Sequence, residues 1–235
     1  MKINVMSYNV QHFENYLTGE IDFDSYADFL KTADIIGLNE VRGEFKTPAA
    51  PSQAEIIAKK TGYNLYYAEA IKLEGDNSYG NALLSKYPIL SAEKFMLPSP
   101  PPEEFPDYWV EDRCMLKATI DVQGNIVTVF VIHFGLSPEE LRRATEAVKK
   151  YVHGSKVILM GDFNMTPDNP FIADIKAILT DTADFFNSPK LSFPSDNPDR
   201  KIDYMFVSND VKVISSDIPD KILSDHKPYI SVLDI

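Results

Sequence analysis

Six polar clusters, each beside or closing an apolar run, are spread along the whole chain. They are Tyr8-Asn9, Asn39-Glu40, Ile132-His133, Gly161-Asp162-Phe163-Asn164, Ile202-Asp203-Tyr204 and Ser224-Asp225-His226. The apolar runs Ile3 to Met6, Ile35 to Leu38, Val127 to Ile132 and Val157 to Met160 read as buried strands. A strand core is a costly place for Asn, Glu, His or Asp, because an unpaired buried polar group costs about 1–3 kcal/mol. One polar strand end is ordinary, since every strand must stop. Six of them, carrying oxygen ligands and imidazoles, imply a fold that gathers distant strand ends into one site.

The rest of the pattern alternates strands with helices. Strands are expected at 2–9, 34–40, 63–70, 79–86, 89–96, 113–122, 125–134, 156–161, 203–207, 211–215 and 229–234. Helices are expected at about 23–32 and 52–61, the second with Ser52 as N-cap and Gly62 as its stop. Ser137-Pro138-Glu139-Glu140 is a capping box with proline at the first helical position. Behind it Leu141, Ala144, Val148 and Val152 form one apolar face, with Gly154 as the expected stop. Gln123-Gly124 reads as a tight hairpin. Residues 97–109 carry five prolines and so cannot be regular structure. They form either a plain connector or a rim tipped by Phe105, Tyr108 and Trp109. Strand pairs interspersed with helices predict an α/β fold of two packed sheets with helices outside.

At 235 residues, 44% hydrophobic and 25% charged, the chain suits a single domain over 1–235. The N-terminal residues lack the apolar core of a signal peptide, so the cytoplasm is the expected location. No run approaches the roughly 20 apolar residues that span a bilayer. The lone Cys114 excludes an internal disulfide framework and a thiolate metal site. Net charge is −12, which disfavours a sequence-blind grip on nucleic acid, since that grip rests on neutralising phosphates. A nuclease needs only a local basic site, however, and Arg42, Arg113, Lys201 and Lys227 stand near the clusters. Oligomeric state has no signature in the sequence.

Glu40, Asp162, Asp225, Asn9 and Asn164 offer hard oxygen donors, which suit Mg²⁺ or Mn²⁺ better than zinc. His133 closes an apolar run and His226 follows Asp225 directly, with Asp203 on a neighbouring strand candidate. A carboxylate that fixes one imidazole is how a general acid or base is held ready. No Gly-x-Ser-x-Gly elbow or P-loop is present. Hydrolysis by an activated water remains.

The ordered series Ser7-Tyr8-Asn9-Val10, Leu38-Asn39-Glu40, Tyr79-Gly80-Asn81-Ala82-Leu83-Leu84-Ser85, His133, Gly161-Asp162-Phe163-Asn164, Ile202-Asp203-Tyr204-Met205-Phe206-Val207 and Ser224-Asp225-His226 resembles the endonuclease/exonuclease/phosphatase family. The resemblance implies a four-layer α-β-β-α sandwich of two mixed sheets flanked by helices. It implies that Glu40, helped by Asn9 and Asp225, binds the divalent metal. Asp162 and Asn164 orient or activate water and hold phosphoryl oxygens, and His226 with Asp203 stabilises the phosphate and moves a proton. His133 and Arg113 contact the scissile phosphate from the other side, and Asn81 supports it or serves as a turn residue. A histidine at 133 is similar to the branch of deoxyribonucleases, sphingomyelinases, inositol phosphate phosphatases and tyrosyl-DNA phosphodiesterases, not to apurinic endonucleases. Two departures are His133-Phe134-Gly135 in place of His-Leu, and no carboxylate near Tyr79-Gly80 to support His133.

The expected function is therefore metal-dependent hydrolysis of a phosphoester of unknown identity, small or lipid-derived ahead of DNA or RNA. The other class of reading is a silent binding domain on the same fold, which loss of Glu40-, Asp162- or His226-type residues would mark; all three are present.

Overall fold

The computed structural model describes residues 1–43, 52–73 and 77–235. Its first sheet comprises β1 (Lys2–Asn9), β2 (Ile35–Arg42), β3 (Asn64–Leu73), β4 (Asn77–Ser85), β11 (Lys212–Asp217) and β12 (Tyr229–Asp234), in the order β11-β12-β1-β2-β4-β3. The second comprises β5 (Ile89–Leu97), β6 (Arg113–Val122), β7 (Asn125–His133), β8 (Val157–Asp162), the short β9 (Thr180–Asp181) and β10 (Asp203–Val207), in the order β5-β6-β7-β8-β10-β9. Helices α1 (Phe23–Leu30) and α2 (Gln53–Thr61) belong to the first half, α3 (Pro138–Tyr151) and α4 (Pro170–Lys176) to the second. The result is the four-layer sandwich of two mixed sheets and flanking helices.

Three packed layers hold it together. Val5, Ile35, Leu83, Leu116, Val129, Val131, Ile158 and Met160 fill the space between the sheets. Tyr26, Leu30 and Ile57 cover the outer face of the first sheet, against Tyr8, Ile36 and Leu38. Leu141, Ala144, Val148, Ile172 and Ile175 do the same for the second, against Phe130, Leu159 and Phe206. Burying each such aliphatic side chain contributes about 1.5–3 kcal/mol. The stripe at 141, 144 and 148 follows from the helical period, and the start of α3 from its cap. Glu140 N donates to Ser137 Oγ (3.3 Å), while the Glu140 carboxylate accepts from Ser137 N (3.0 Å). The helix ends at Tyr151, earlier than Gly154 implied. Gly154, at φ 114°, instead turns the chain toward β8. Among the described residues, no helix is long and apolar enough to cross a membrane.

Topology explains why the six clusters meet. Parallel pairs β1–β2 and β7–β8 put Asn9 beside Asn39 and His133 beside Asp162, at the C-terminal ends of β1, β7 and β8 and in the last half of β2. β10 runs antiparallel to β8, so its first residue, Asp203, faces the last residue of β8, Asp162. β12 runs antiparallel to β1, which delivers the preceding segment, Ser224 to His226, to the same edge. The first residue of β6, Arg113, arrives there because β6 is antiparallel to β7. Gly161 lets β8 come close: a Cβ there would stand 1.8 Å from the carbonyl oxygen of Ile132, at a φ of 151°.

Candidate active site

Backbone strain collects where the strand ends converge. Among the described residues, seven non-glycine residues have positive φ, and four of them (Gln11, His12, Glu40 and Asn164) border the site. Such conformations cost about 1–3 kcal/mol each and persist where surrounding structure holds them. At Glu40 the cause is a bulge: the register between β2 and β4 shifts between Leu38 and Val41. The extra residue aims the carboxylate out of the sheet edge.

Asp162 Oδ2 is the centre of the arrangement. Asn9 Nδ2 donates to it at 3.1 Å and to Glu40 Oε1 at 2.9 Å. His133 Nε2 and His226 Nε2 each lie 3.5 Å from it. Burial pushes the Asp162 carboxyl up to about 7; His226 opposes this and the charge of Asp203 adds to it. Behind His226, Asp203 Oδ2 accepts from Nδ1 at 2.8 Å. Residues 192–195 hold this pair in place. Ser192 Oγ accepts from Asp203 N (3.3 Å), Ser195 N donates to the Asp225 carbonyl (2.7 Å), and the Phe193 ring packs 4.8 Å from that of His226.

The two imidazoles titrate in opposite directions. For His226, burial alone favours the neutral form, but the charges of Asp203 and Asp162 outweigh it and raise the group to about 10. His133 is held well below its ordinary value by burial, then by Arg113 and His226. Arg113 Nη1 donates to His133 Nδ1 at 3.2 Å, and a guanidinium cannot accept. His133 Nε2, on the other side of the ring, faces Asp162 Oδ2 at 3.5 Å and Asn164 Nδ2 at 3.4 Å. One cationic and one neutral imidazole around a single carboxylate is an acid/base division of labour.

Asn164 N donates to Asp162 Oδ1 (2.9 Å), and its amide nitrogen donates to the Phe134 carbonyl (3.0 Å), locking the turn after β8. Arg113 is buried and also pairs with Glu111, whose other oxygen accepts from Trp109 Nε1 at 2.9 Å. Arg113 and Glu111 thus stand on the side of His133 where the sequence offered no supporting carboxylate near Tyr79. Asn81, expected at the phosphate, lies one layer beneath. Its Oδ1 accepts from Asn39 Nδ2 (2.8 Å) and its Nδ2 donates to the Cys114 carbonyl (2.9 Å). Both ends are committed, so it supports Asn39. That residue was read only as part of a cluster. Its amide also donates to the Ile132 carbonyl (3.0 Å) and accepts from Asp162 N (3.0 Å), tying the two sheets together beneath the site. His12 was not anticipated; its Nδ1 lies 3.2 Å from the Glu40 carbonyl and its ring 5.2 Å from that of Tyr79. Its only sequence signal was its place three residues after Asn9.

The donors fit a hard divalent cation. Asp162, Asp203 and His226 present ligand atoms that all lie within 4.8 Å of one another. Asp203 Oδ1 is buried and has no hydrogen-bond partner. Glu40, Asn9 and Asp225 form an adjacent oxygen-rich flank. Burial, with Glu40 adding to it and His226 opposing it, raises the Asp225 carboxyl. Close carboxylates of this kind are stabilised by a cation.

Lys201, two residues before Asp203, is 5% exposed. Its Nζ has no hydrogen-bond partner and sits 3.0 Å from the centroid of the Tyr204 ring. Burial pulls it from 10.5 down to about 7, against the charges of Asp181 and Asp203. Between these values the unfolded chain holds a proton that the folded chain has released. Its contribution therefore erodes as pH falls through that window, and below about pH 7 the full penalty applies. Lys201→Met is expected to raise stability at pH 7 by about 1–4 kcal/mol, the range seen when buried charge gives way to apolar groups. Urea titrations of both proteins at pH 7 and pH 10 check this. An equal stability difference at the two pH values contradicts it.

Comparison with known proteins agrees with the geometry. The model of the Endonuclease/Exonuclease/phosphatase family matches residues 6–226, and the chain belongs to that family. An endonuclease/exonuclease/phosphatase from Beutenbergia cavernae superposes with a TM-score of 0.78 at 22% identity, over 100% of this chain and 72% of that one. A mannosyl-6-phosphatase from Bacteroides thetaiotaomicron gives 0.78 at 17% identity, over 99% and 100%. A curated relative, Protein cwh43 of Schizosaccharomyces pombe, is 28% identical over 116 residues, 49% of this chain and 11% of that protein's length. Family and site together fit a metal-dependent phosphoesterase domain.

Proposed function

We propose that the protein hydrolyses a small or lipid-derived phosphoester by in-line attack of water, with Mg²⁺ or Mn²⁺ as cofactor. The observation that carries this reading is the pair of imidazoles that flank Asp162 Oδ2 at 3.5 Å each, His226 backed by Asp203 and His133 by Arg113. Glu40, Asn9 and Asp225 would hold the divalent cation, which would supply charge neutralisation for the phosphoryl oxygens. Asp162, oriented by Asn9 and by the backbone of Asn164, takes the proton of the attacking water. His226 gives its Nε2 proton to the departing oxygen while Asp203 keeps the ring cationic and aligned. Arg113 and neutral His133 bind a non-bridging oxygen. The acidic surface, net −12, favours a substrate with few phosphates over a nucleic-acid strand.

A panel read with Mg²⁺ and with Mn²⁺ tests the reading: p-nitrophenyl phosphate, bis-p-nitrophenyl phosphate, hexose phosphates, inositol phosphates, sphingomyelin, nucleotides and plasmid DNA. Turnover of small or lipid-derived esters at kcat/KM at least 10-fold above that for DNA is expected. Preferential cleavage of plasmid or oligonucleotide would overturn the substrate assignment.

A further inference from the structure

Two openings adjoin the catalytic residues. The one past Trp109, which is 71% exposed and makes the Pro-rich segment a rim, is lined by Glu40 and so belongs to the site already described. The other is an open cavity of about 590 Å³, mid-range for a small-molecule pocket. Pro167, Ala183, Phe186, Pro189 and Leu191 give it a largely apolar lining. None of the residues assigned above to metal or proton transfer lines it.

Its walls are continuous with the parts that hold the acid, His226. Arg200 lines the cavity, and its guanidinium carbon lies 5.4 Å from the centroid of the Phe193 ring. That ring packs 4.8 Å from the ring of His226. Leu191, in the wall, directly precedes Ser192, whose Oγ accepts from Asp203 N at 3.3 Å. Thr166 and Pro167 bring the wall to the turn that carries Asp162 and Asn164. An alcohol leaving with the His226 proton therefore has an apolar space next to it, past Phe193 and Arg200.

The charges in the walls are already engaged. Lys190 Nζ pairs with Asp217 at 2.9 Å and Arg200 Nε with Asp199 at 2.6 Å, while Lys201 Nζ is buried against the Tyr204 ring. The apolar side chains have no such partner: Leu191 remains 42% exposed. Covering them with hydrocarbon removes apolar surface from water on both sides.

We propose that this cavity holds the hydrocarbon chain of the leaving alcohol, so that the substrate class is phosphoesters of alcohols bearing such a chain. The proposal rests on the phosphoesterase reading above and specifies it. Water attacks phosphorus and gives its proton to Asp162, the bond from phosphorus to the alkoxy oxygen breaks, and that oxygen takes the His226 proton and departs as the alcohol.

The test measures alkanol release, with Mg²⁺, from n-alkyl phosphates and methyl n-alkyl phosphates running from ethyl to octyl, all below their micelle concentrations. The two series cover monoester and diester cleavage at a nearly constant leaving group. In the series that turns over, kcat/KM is expected to rise about 2–4-fold per methylene, the scale for burying one, and by at least about 30-fold from ethyl to octyl. Leu191→Asp places a charge in the wall. It is expected to bring the octyl-to-ethyl ratio to within about 3-fold while ethyl turnover stays within about 2-fold of wild type. Should that variant melt lower, Ala183→Leu, which fills the cavity without adding charge, carries the same expectation for the ratio. In EDTA-stripped protein the uncharged probe N-phenyl-1-naphthylamine should gain fluorescence, lose it on addition of 1-octanol but not of ethanol, and gain none with Leu191→Asp. A rate that is flat or falls with chain length overturns the proposal, as does a wild-type ratio in the folded variant. Absence of turnover of both p-nitrophenyl and bis-p-nitrophenyl phosphate would instead overturn the phosphoesterase reading. The probe then still judges the cavity, and a signal that 1-octanol leaves in place would remove the hydrocarbon site as well.

Discussion

His226→Ala is expected to lower kcat by about 10²-fold or more, the scale for losing a positioned acid/base group. The folded state holds this imidazole cationic, through the 2.8 Å contact from Asp203 and the nearby charge of Asp162. Alanine removes both the proton donor and the positive charge facing the phosphate. Asp203→Asn should cost a comparable factor by another route. The amide can present its NH₂ to Nδ1, which selects the wrong tautomer and removes the charge that keeps the ring protonated. Because the two residues act as one unit, the double mutant should be little worse than the poorer single mutant. Single-turnover and steady-state rates on p-nitrophenyl phosphate measure all three. A double loss equal to the product of the single losses would show that they act separately.

Much of this dyad is legible in the sequence, and the reason is physical. Asp203 and His226 sit where an apolar run begins or a loop precedes one, and few non-functional roles put both groups at such places. Ser52, Gly62 and the Ser137 capping box likewise marked helix ends, since those signals are local. What the sequence hid depends on depth and on loops. Asn81 is on the right strand, but whether it points at the phosphate or beneath it is set by the bulge at Glu40, which has no sequence signature. The partner of His133 is visible only once the antiparallel β6–β7 register brings Arg113 beside it. Glu111 and His12 lie outside strands, where no periodicity gives a side chain its direction. His12 depends further on a left-handed stretch over three non-glycine residues. Lys201 read as one of several basic residues near the clusters, and its burial was not encoded in that spacing.

Glu40→Gln is expected to raise the concentration of Mg²⁺ or Mn²⁺ that gives half-maximal activity by at least about 10-fold, with an unchanged melting temperature. Glutamine keeps the shape and the Oε1 acceptor that Asn9 Nδ2 contacts at 2.9 Å, so the fold loses little. What it loses is the negative charge next to Asp225. A hard, reluctantly dehydrated cation such as Mg²⁺ relies on one or two carboxylates, so removing one weakens binding sharply. A calorimetric titration of metal into both proteins gives the same comparison without substrate. Identical metal dependence in the two proteins would place the principal site at Asp162, Asp203 and His226 instead.

The most direct measurement is hydrolysis of p-nitrophenyl and bis-p-nitrophenyl phosphate by EDTA-stripped protein, before and after Mg²⁺ or Mn²⁺ is returned. The expected result is no turnover when stripped, full recovery of the wild type on reconstitution, and recovery reduced by about 10²-fold in His226→Ala at the same metal concentration. Full activity in the stripped protein, or no cleavage of either ester with either metal, would contradict the assignment.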